Sequence, residues 1–365
     1  METFRQILRA ATEAGASDIH LKAGAPVMFR IRRDLVPVDA PAPTSAWITS
    51  VLQQVVPEPL RERLETDREL DLAIEVEGEG RFRANIFQQR GNYVLALRLV
   101  KSQMRSFEEL HLPDIIRRIA ETPRGIVIIS GAPGAGKSTT LAAMIQHMNT
   151  TVRRHIVTLE DPIEYLFEDQ MSVIEQREVG LDTASFATGL RHVLRQDPDV
   201  LMIGEMRDAQ SVTAAVSAAS VGTLVLSTLH TGDTTRAIQR ILEFFPSVER
   251  EHARRQLAGT LHAVICQKLV RTKDDQVIPA LEILVNTASV AKLLETDRLE
   301  KLPGAIELGS GDGMQSFDQS LLRLVESGTI TQAEAYKNAP NPEALKMKLQ
   351  GVVLTESRRI LGVRD

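Results

Sequence analysis

Cysteine occurs once in the 365 residues, at Cys266. A single thiol excludes an internal disulfide and any cysteine-cluster zinc site. Aromatic residues make up only 4% of the chain, so stacking platforms for single-stranded nucleic acid are scarce. Positive charge is not in excess either: the net charge is −5 and the pI about 6.0. No broad basic field follows, and nucleic acid is not the expected partner. No apolar run reaches the ~18 residues that span a bilayer. The first residues, METFRQILRA, lack the apolar core of a signal peptide. Together these absences predict a cytoplasmic protein. Cys266 falls in an apolar pattern that reads as helical and is expected in a core.

What is present is ordinary for a globular chain, with 43% hydrophobic and 25% charged residues, and the length favours two domains over one. Phe4, Ile7, Leu8 and Ala11 recur at helical spacing. Gly15 stops that helix, and ASDIHL begins a strand. Val27, Phe29 and Ile31 alternate with their neighbours, and helical patterns follow around Trp47, Val51 and Val55 and over 58–65. Three alternating runs come next, at 70–76, 81–86 and 93–99, separated by GEG and RGN. Residues 1–100 therefore predict a small α+β domain with an antiparallel sheet. Arg81 and Arg83 point off its core face, where periodicity alone reads a solvated surface.

Residues 101–112, polar and followed by Pro113, read as a linker. From 113 to 365 the pattern becomes alternating strands and helices, the signature of a parallel α/β sheet. Strands are expected at 126–130, 155–159, 200–204 and 224–229, and helices at 183–195 and 209–221. Beyond His230 the chain reads as helical. One stripe holds Ile238, Ile241, Leu242 and Phe245; a second holds Leu257, Leu261, Val264 and Ile265; a third holds Phe317, Leu321, Leu324 and Val325. The segment 303–315 reads as a glycine-rich loop.

The chemistry gathers around Gly125–Leu141. An apolar strand, GIVIIS, runs into GAPGAGKST and then into a helix. Gly131-x-x-x-x-Gly136-Lys137-Ser138 fits a P-loop. The backbone of Gly131, Ala132, Pro133, Gly134, Ala135, Gly136, Lys137, Ser138 and Thr139 would wrap a triphosphate. Glycines let N–H groups approach phosphate oxygens, and the following helix adds its positive end. Lys137 supplies charge to the β- and γ-phosphates, and Ser138 a hydroxyl for Mg²⁺. Ligands of parallel sheets sit beyond the carboxyl ends of the strands. There the 155–159 strand delivers Glu160, Asp161 and Glu164. The 200–204 strand delivers Glu205, the candidate for activating water. The position before it, often Asp in ATPases, is Gly204. Three carboxylates in five residues beside a triphosphate are tolerated if they hold Mg²⁺ or position water, so Ser138, Glu160 and Asp161 are the metal candidates. The 224–229 strand ends at His230, placed to sense the γ-phosphate or to bridge to Glu205.

Four motifs thus occur in order: GAPGAGKST, TLEDPIEY, RQDPDVLMIGEMRD and STLHT. With ASDIHL and GRFRANIFQQRG in the first domain, the chain resembles the type IV pilus retraction ATPases, the PilT/PilU family of the secretion ATPase superfamily. The resemblance runs from about residue 15 to about residue 345. It implies a PAS-like domain joined to a RecA-like P-loop ATPase domain. It implies a hexamer that hydrolyses Mg-ATP at the cytoplasmic face of the inner membrane, turns a platform protein and withdraws pilin. In that pattern the acidic box is Glu160, Asp161 and Glu164, the catalytic glutamate Glu205, and the histidine box ends at His230. Arg83 and Arg98 best match the first-domain arginines that act on the phosphates, which overturns the solvated-surface reading of Arg83.

Departures are specific. Where the histidine box usually reads ETGH, this chain has Ser220-Val221-Gly222-Thr223. The retraction signature is degraded to Ser289-Val290-Ala291-Lys292-Leu293-Leu294, and 313–321 is closer to PilU-like paralogues. An accessory or weakly hydrolysing subunit that assists a paralogous retraction motor is therefore the alternative. A pilus assembly or type II secretion ATPase fits less well, because those relatives usually carry further N-terminal domains and often a four-cysteine zinc insert.

Overall fold

The computed structural model describes residues 1–31, 34–100 and 104–350. It divides into two compact units, one of Met1–Gln103 with Pro162–Leu166, the other of Met104–Asp161 with Phe167–Asp365.

The first unit runs α1 (Glu2–Glu13), β1 (Asp18–Lys22), β2 (Met28–Ile31), β3 (Asp34–Pro37), α2 (Ser45–Val55), α3 (Glu58–Asp67), β4 (Glu69–Val76), β5 (Gly80–Gln89) and β6 (Asn92–Leu99). Its sheet has the order β3-β2-β1-β6-β5-β4, and every pairing is antiparallel. The stripe Phe4, Ile7, Leu8 and Ala11 on α1 is buried as its spacing predicts. Arg90 and Gly91, at φ 51° and 74°, form the two-residue β5–β6 loop. Two successive positive φ values match the twist of the flanking strands. That loop sets the register in which Arg83 faces Arg98 and Arg98 faces Asp18. On the other face of β5, Phe82, Ala84 and Ile86 are wholly buried.

The second unit runs α4 (Ile115–Ala120), β7 (Gly125–Ser130), α5 (Lys137–Thr151), β8 (His155–Glu160), β9 (Val173–Glu178), α6 (Phe186–Val193), β10 (Val200–Ile203), α7 (Ala209–Ser220), β11 (Leu224–Leu229), α8 (Thr234–Glu243), α9 (Arg250–Thr260), β12 (Leu261–Arg271), β13 (Val277–Val285), α10 (Ala288–Glu295), α11 (Leu302–Leu308), α12 (Phe317–Glu326), α13 (Gln332–Asn338) and α14 (Pro342–Leu349). Its sheet has the order β13-β12-β7-β11-β10-β8-β9. All neighbours are parallel except β13, which is antiparallel to β12. Both faces are covered, so β7, β10 and β11 are buried at every residue. That is why they are dominated by apolar residues, with only small hydroxyl side chains among them. Val127 and Ile129 pack with Leu141, Met144 and Met148 of α5. Ile126 and Ile128 face the opposite core with Val212, Ile238 and Leu257.

Several expectations change. Of the predicted linker 101–112, residues 101–103 lie outside the described residues, while Phe107 and Leu112 are buried in a core of the second unit. The stripe Leu257, Leu261, Val264 and Ile265 is not one helix: α9 ends at Thr260 and β12 begins at Leu261. Cys266 is therefore a buried strand residue, and burial, with the charge of Glu282 next, pushes its thiol well above the ordinary value. The segment 303–315 is not a plain loop, since it contains most of α11 and a 3-10 turn at Gly309–Asp312. Pro303 sits in the first turn of α11, where a missing N–H costs nothing.

The β5 alternation gives a direct test. Phe82→Ala should destabilise the protein by about 3–5 kcal/mol in urea unfolding. Arg83→Ala, one residue along on the exposed face, should stay within about 0.5 kcal/mol of the parent.

Candidate active site

The candidate site lies at the carboxyl ends of β7, β11, β10 and β8. Register aligns these ends: Leu229 pairs with Ser130, Ile203 with Ser227, and Ile203 with Leu159. Whatever follows each strand thus emerges at one edge of the sheet. After β7 comes the P-loop. Its shape is set from behind by Gln267 of β12, which is 3% exposed. Gln267 donates from Nε2 to the Ala135 carbonyl at 2.7 Å and accepts from Thr140 Oγ1 at 2.8 Å. The loop passes so close that a Cβ at Gly131 would lie 2.4 Å from the Gln267 carbonyl oxygen, and one at Gly136 2.8 Å from its Nε2. Both glycines also have positive φ. At Gly134 the φ is again positive, but nothing lies within 4 Å of a built Cβ. The loop is thus packed on its inner side and open at Gly134.

Lys137 is 8% exposed. Its ammonium donates to the carbonyls of Gly131 at 2.9 Å and Ala132 at 3.3 Å, and lies 3.2 Å from His230 Nδ1. An ammonium can only donate, so Nδ1 accepts and the imidazole proton sits on Nε2. That nitrogen lies 3.3 Å from Glu205 Oε1. The other carboxylate oxygen of Glu205 accepts from Arg207 Nε at 2.9 Å, and Arg207 Nη1 is 3.7 Å from Asp161 Oδ2. One continuous chain, Lys137–His230–Glu205–Arg207–Asp161, therefore joins residues delivered by four strand ends.

Local bonds hold these residues in place. Ser130 Oγ donates to the Thr231 carbonyl at 3.0 Å and accepts from the Thr231 N–H at 2.9 Å, which fixes the turn carrying His230. Downstream, Glu282 accepts from the N–H and hydroxyl of Thr234 at 2.8 and 2.9 Å, although burial raises the pKa of its carboxyl. Beside Glu205, Thr228 Oγ1 donates to the Gly204 carbonyl at 2.7 Å, and the Met206 N–H to the Thr228 carbonyl at 3.2 Å. Asp208 and Ser211 then close a capping box on α7. Gly204 has a steric reason: a Cβ there would lie 3.2 Å from the Leu159 carbonyl oxygen. A side chain there would need β8 to give by a few tenths of an ångström, so glycine is the residue that fits this position without strain, and Glu205 follows it.

Among the remaining candidates, Glu160 ends β8 and is 6% exposed, and its Oε1 accepts from Thr158 Oγ1 at 2.8 Å and Gln176 Nε2 at 3.2 Å. Ser138 and Thr139 are half-buried in the first turn of α5. Among the described residues no three His, Cys, Asp or Glu side chains converge as a cage. That donor set fits a Mg²⁺ that takes most of its ligands from phosphate and water, with Ser138 as the protein hydroxyl. Glu164 belongs with the first unit, in Pro162–Leu166. Arg83 and Arg98 lie in that unit too, adjacent across the β5–β6 pair. Arg98 Nε donates to Asp18 Oδ1 at 2.9 Å. Burial pushes the Asp18 carboxyl up, but hydrogen bonds from Ser17 and Arg98 and the arginine's charge outweigh it and leave the pKa lowered.

The substituted histidine box is elsewhere. Thr223 precedes β11 and donates to the Pro198 carbonyl at 3.2 Å, whereas His230 follows the strand. The six residues between them separate the two by roughly 20 Å at ~3.3 Å per residue. Neither Gln267 nor Arg207 was foreseen as a site residue. Arg207 sits inside the RQDPDVLMIGEMRD motif, two residues after the candidate glutamate, without a role of its own there, and Gln267 has no sequence sign.

Comparison with known proteins is consistent with this geometry. A family model described as type II/IV secretion system protein matches residues 1–301. The chain is 36% identical over 338 residues to the type IV pilus retractation ATPase PilT of Pseudomonas aeruginosa, covering 93% of this chain and 98% of that one. It is 37% identical over 348 residues to the type IV pilus ATPase PilU of the same organism, covering 95% and 91%. The crystal structure of the pilus retraction motor PilT with bound ADP superposes with a TM-score of 0.86 at 39% identity, over 94% of this chain and 98% of that one.

Two substitutions test the cradle. Gly131→Ala should abolish binding of a fluorescent ADP in titration, because its Cβ meets a backbone oxygen that cannot rotate away. Gln267→Ala leaves the Ala135 carbonyl and the Thr140 hydroxyl without their partner and should lower stability by roughly 1–3 kcal/mol in thermal or urea unfolding.

Proposed function

Because the chain belongs to the type II/IV secretion system protein family and is a P-loop ATPase of the pilus-retraction branch, we propose that it works as a homohexameric Mg-ATP motor. In this reading it withdraws type IV pili, and so drives twitching motility, from the cytoplasmic face of the inner membrane, where a platform protein is its partner. Among the described residues no helix is long and apolar enough to cross a membrane, so attachment through that partner is part of the proposal.

The observation that carries it is the contiguous link from Lys137 through His230 to Glu205. Catalysis of phosphoryl transfer is mostly positioning and charge stabilisation. Lys137 and the backbone N–H groups of the loop hold the β- and γ-phosphates of ATP. Glu205, at the carboxyl edge of β10, orients the attacking water and takes up its proton. His230 touches both groups and reports the γ-phosphate to Glu205. Ser138, with Glu160 and Asp161 as the acidic candidates, would hold a Mg²⁺ that would supply neutralising charge to the phosphates. Glu164 completes the acidic box, and Arg83 and Arg98 supply further positive charge in the transition state.

The accessory reading rests on the degraded signature at 289–294 and the PilU-like segment 313–321, and identities of 36% to PilT and 37% to PilU do not separate the two. Ser220 and Thr223 give it no further support, because β11 separates them from the Lys137–His230–Glu205 link.

Steady-state ATPase assays test the assignment. Glu205→Gln should lower kcat by on the order of 10²- to 10⁴-fold, and Lys137→Ala by at least about 10²-fold, with both proteins folded. Unchanged turnover in either removes that residue from the mechanism. Complementation of a host lacking its retraction motor, with and without a paralogue, separates an independent motor from an assistant.

A further inference from the structure

Arg207 lies within the RQDPDVLMIGEMRD motif, but the motif itself assigns it no role. It lies between β10 and α7 on a turn held at both ends, by Thr228 on one side and by the Asp208–Ser211 capping box on the other. From this fixed backbone the side chain reaches back over the strand ends. Its Nε lies 2.9 Å from Glu205 Oε2, its Nη1 3.7 Å from Asp161 Oδ2, and its Cζ 5.9 Å from the centre of the Phe186 ring on α6. His230 already engages the first oxygen of Glu205. With the second oxygen taken by Arg207, the carboxylate is held at both ends, and its plane and rotamer are set.

We propose that Arg207 is a positioning residue for ATP hydrolysis, a planar fork that holds the Glu205 carboxylate in the orientation from which it addresses water. The proposal rests on the reading of Glu205 given above. The bland alternative is a surface ion pair: the Arg207 side chain is 55% exposed, and pairs of that kind contribute little to stability. The two differ in what they predict. A surface pair leaves both melting temperature and turnover unchanged when removed. A positioning fork leaves the melting temperature and nucleotide affinity near wild type and lowers kcat, because misplacing a catalytic group by about an ångström costs on the order of 10²-fold in rate.

The test uses the full chain. Arg207→Ala, Arg207→Lys, Glu205→Gln and the Arg207→Ala/Glu205→Gln double variant are compared for kcat, KM, fluorescent-ADP affinity and melting temperature. Arg207→Ala is expected to lower kcat on the order of 10²-fold with affinity and melting temperature retained. Arg207→Lys should recover part of the loss, since an ammonium can meet one carboxylate oxygen but lacks the planar fork. The double variant should be no slower than Glu205→Gln, because both changes act on one group. If Arg207→Ala turns over within about twofold of wild type while Glu205→Gln is inactive, or if the two losses add in full, the proposal is overturned and the ATPase assignment stands. Full turnover in Glu205→Gln removes that assignment and the proposal with it. Should alanine lower the melting temperature, Arg207→Gln, which keeps most of the side chain's bulk, carries the comparison.

Discussion

A buried ammonium constrains the second unit more than any other group. Removing a charge from water costs several kcal/mol unless partners compensate. At Lys137 the compensation comes from two carbonyls of the loop's own turn and from an imidazole lone pair. The carbonyls can reach it only if the loop curls back on itself, and that curl requires the positive φ of Gly131, Gly134 and Gly136. The imidazole can reach it only if β11 lies next to β7 in the register observed. Topology and chemistry are thus joined at one nitrogen. The glycine spacing, the parallel order and the histidine at the end of β11 each serve the same centre.

From that centre the polarity of the site can be read outward. Lys137 forces the acceptor role on Nδ1 of His230, which leaves Nε2–H directed at Glu205. Glu205 in turn meets Arg207, and Arg207 meets Asp161. Donors and acceptors alternate along the chain without a clash of like charge. Because the five residues come from four separate strand ends, the arrangement depends on the rigidity of the sheet and not on any one loop. The tight packing of Gly204 against the Leu159 carbonyl belongs to the same logic, since β8 and β10 lie close together beside Glu205.

Much of this was legible beforehand, and for a physical reason. Strands buried on both faces are rich in apolar residues on both faces, so the expected bounds of β7, β8, β10 and β11 lie within a residue of the observed ones. The P-loop carries backbone demands that few residues satisfy, and its glycines advertise them. What failed were segments where two periodicities coincide. Leu261, Val264 and Ile265 fit a helical stripe, yet Val264, Ile265 and Cys266 also form the kind of short apolar run that a buried strand uses. Ala263, next to them, is equally buried, and that extra position distinguishes a strand covered on both faces. In 303–315 the glycines suggested a loop. One of them, Gly313, is instead a packing device: a Cβ there would lie 2.5 Å from Ile115 Cδ1. Contacts between residues far apart in sequence leave no local trace, which is also why Gln267 escaped notice.

The length of β11 has a consequence of its own. A stiff, fully buried strand insulates one end from the other. At its start, Thr223 bonds to the Pro198 carbonyl and Ser220 back to the Val216 carbonyl, while His230, beyond the far end, meets Lys137 and Glu205. The two ends of that one box therefore answer to different neighbours, and a substitution at Thr223 tests the packing at Pro198 where one at His230 tests the ammonium and the carboxylate.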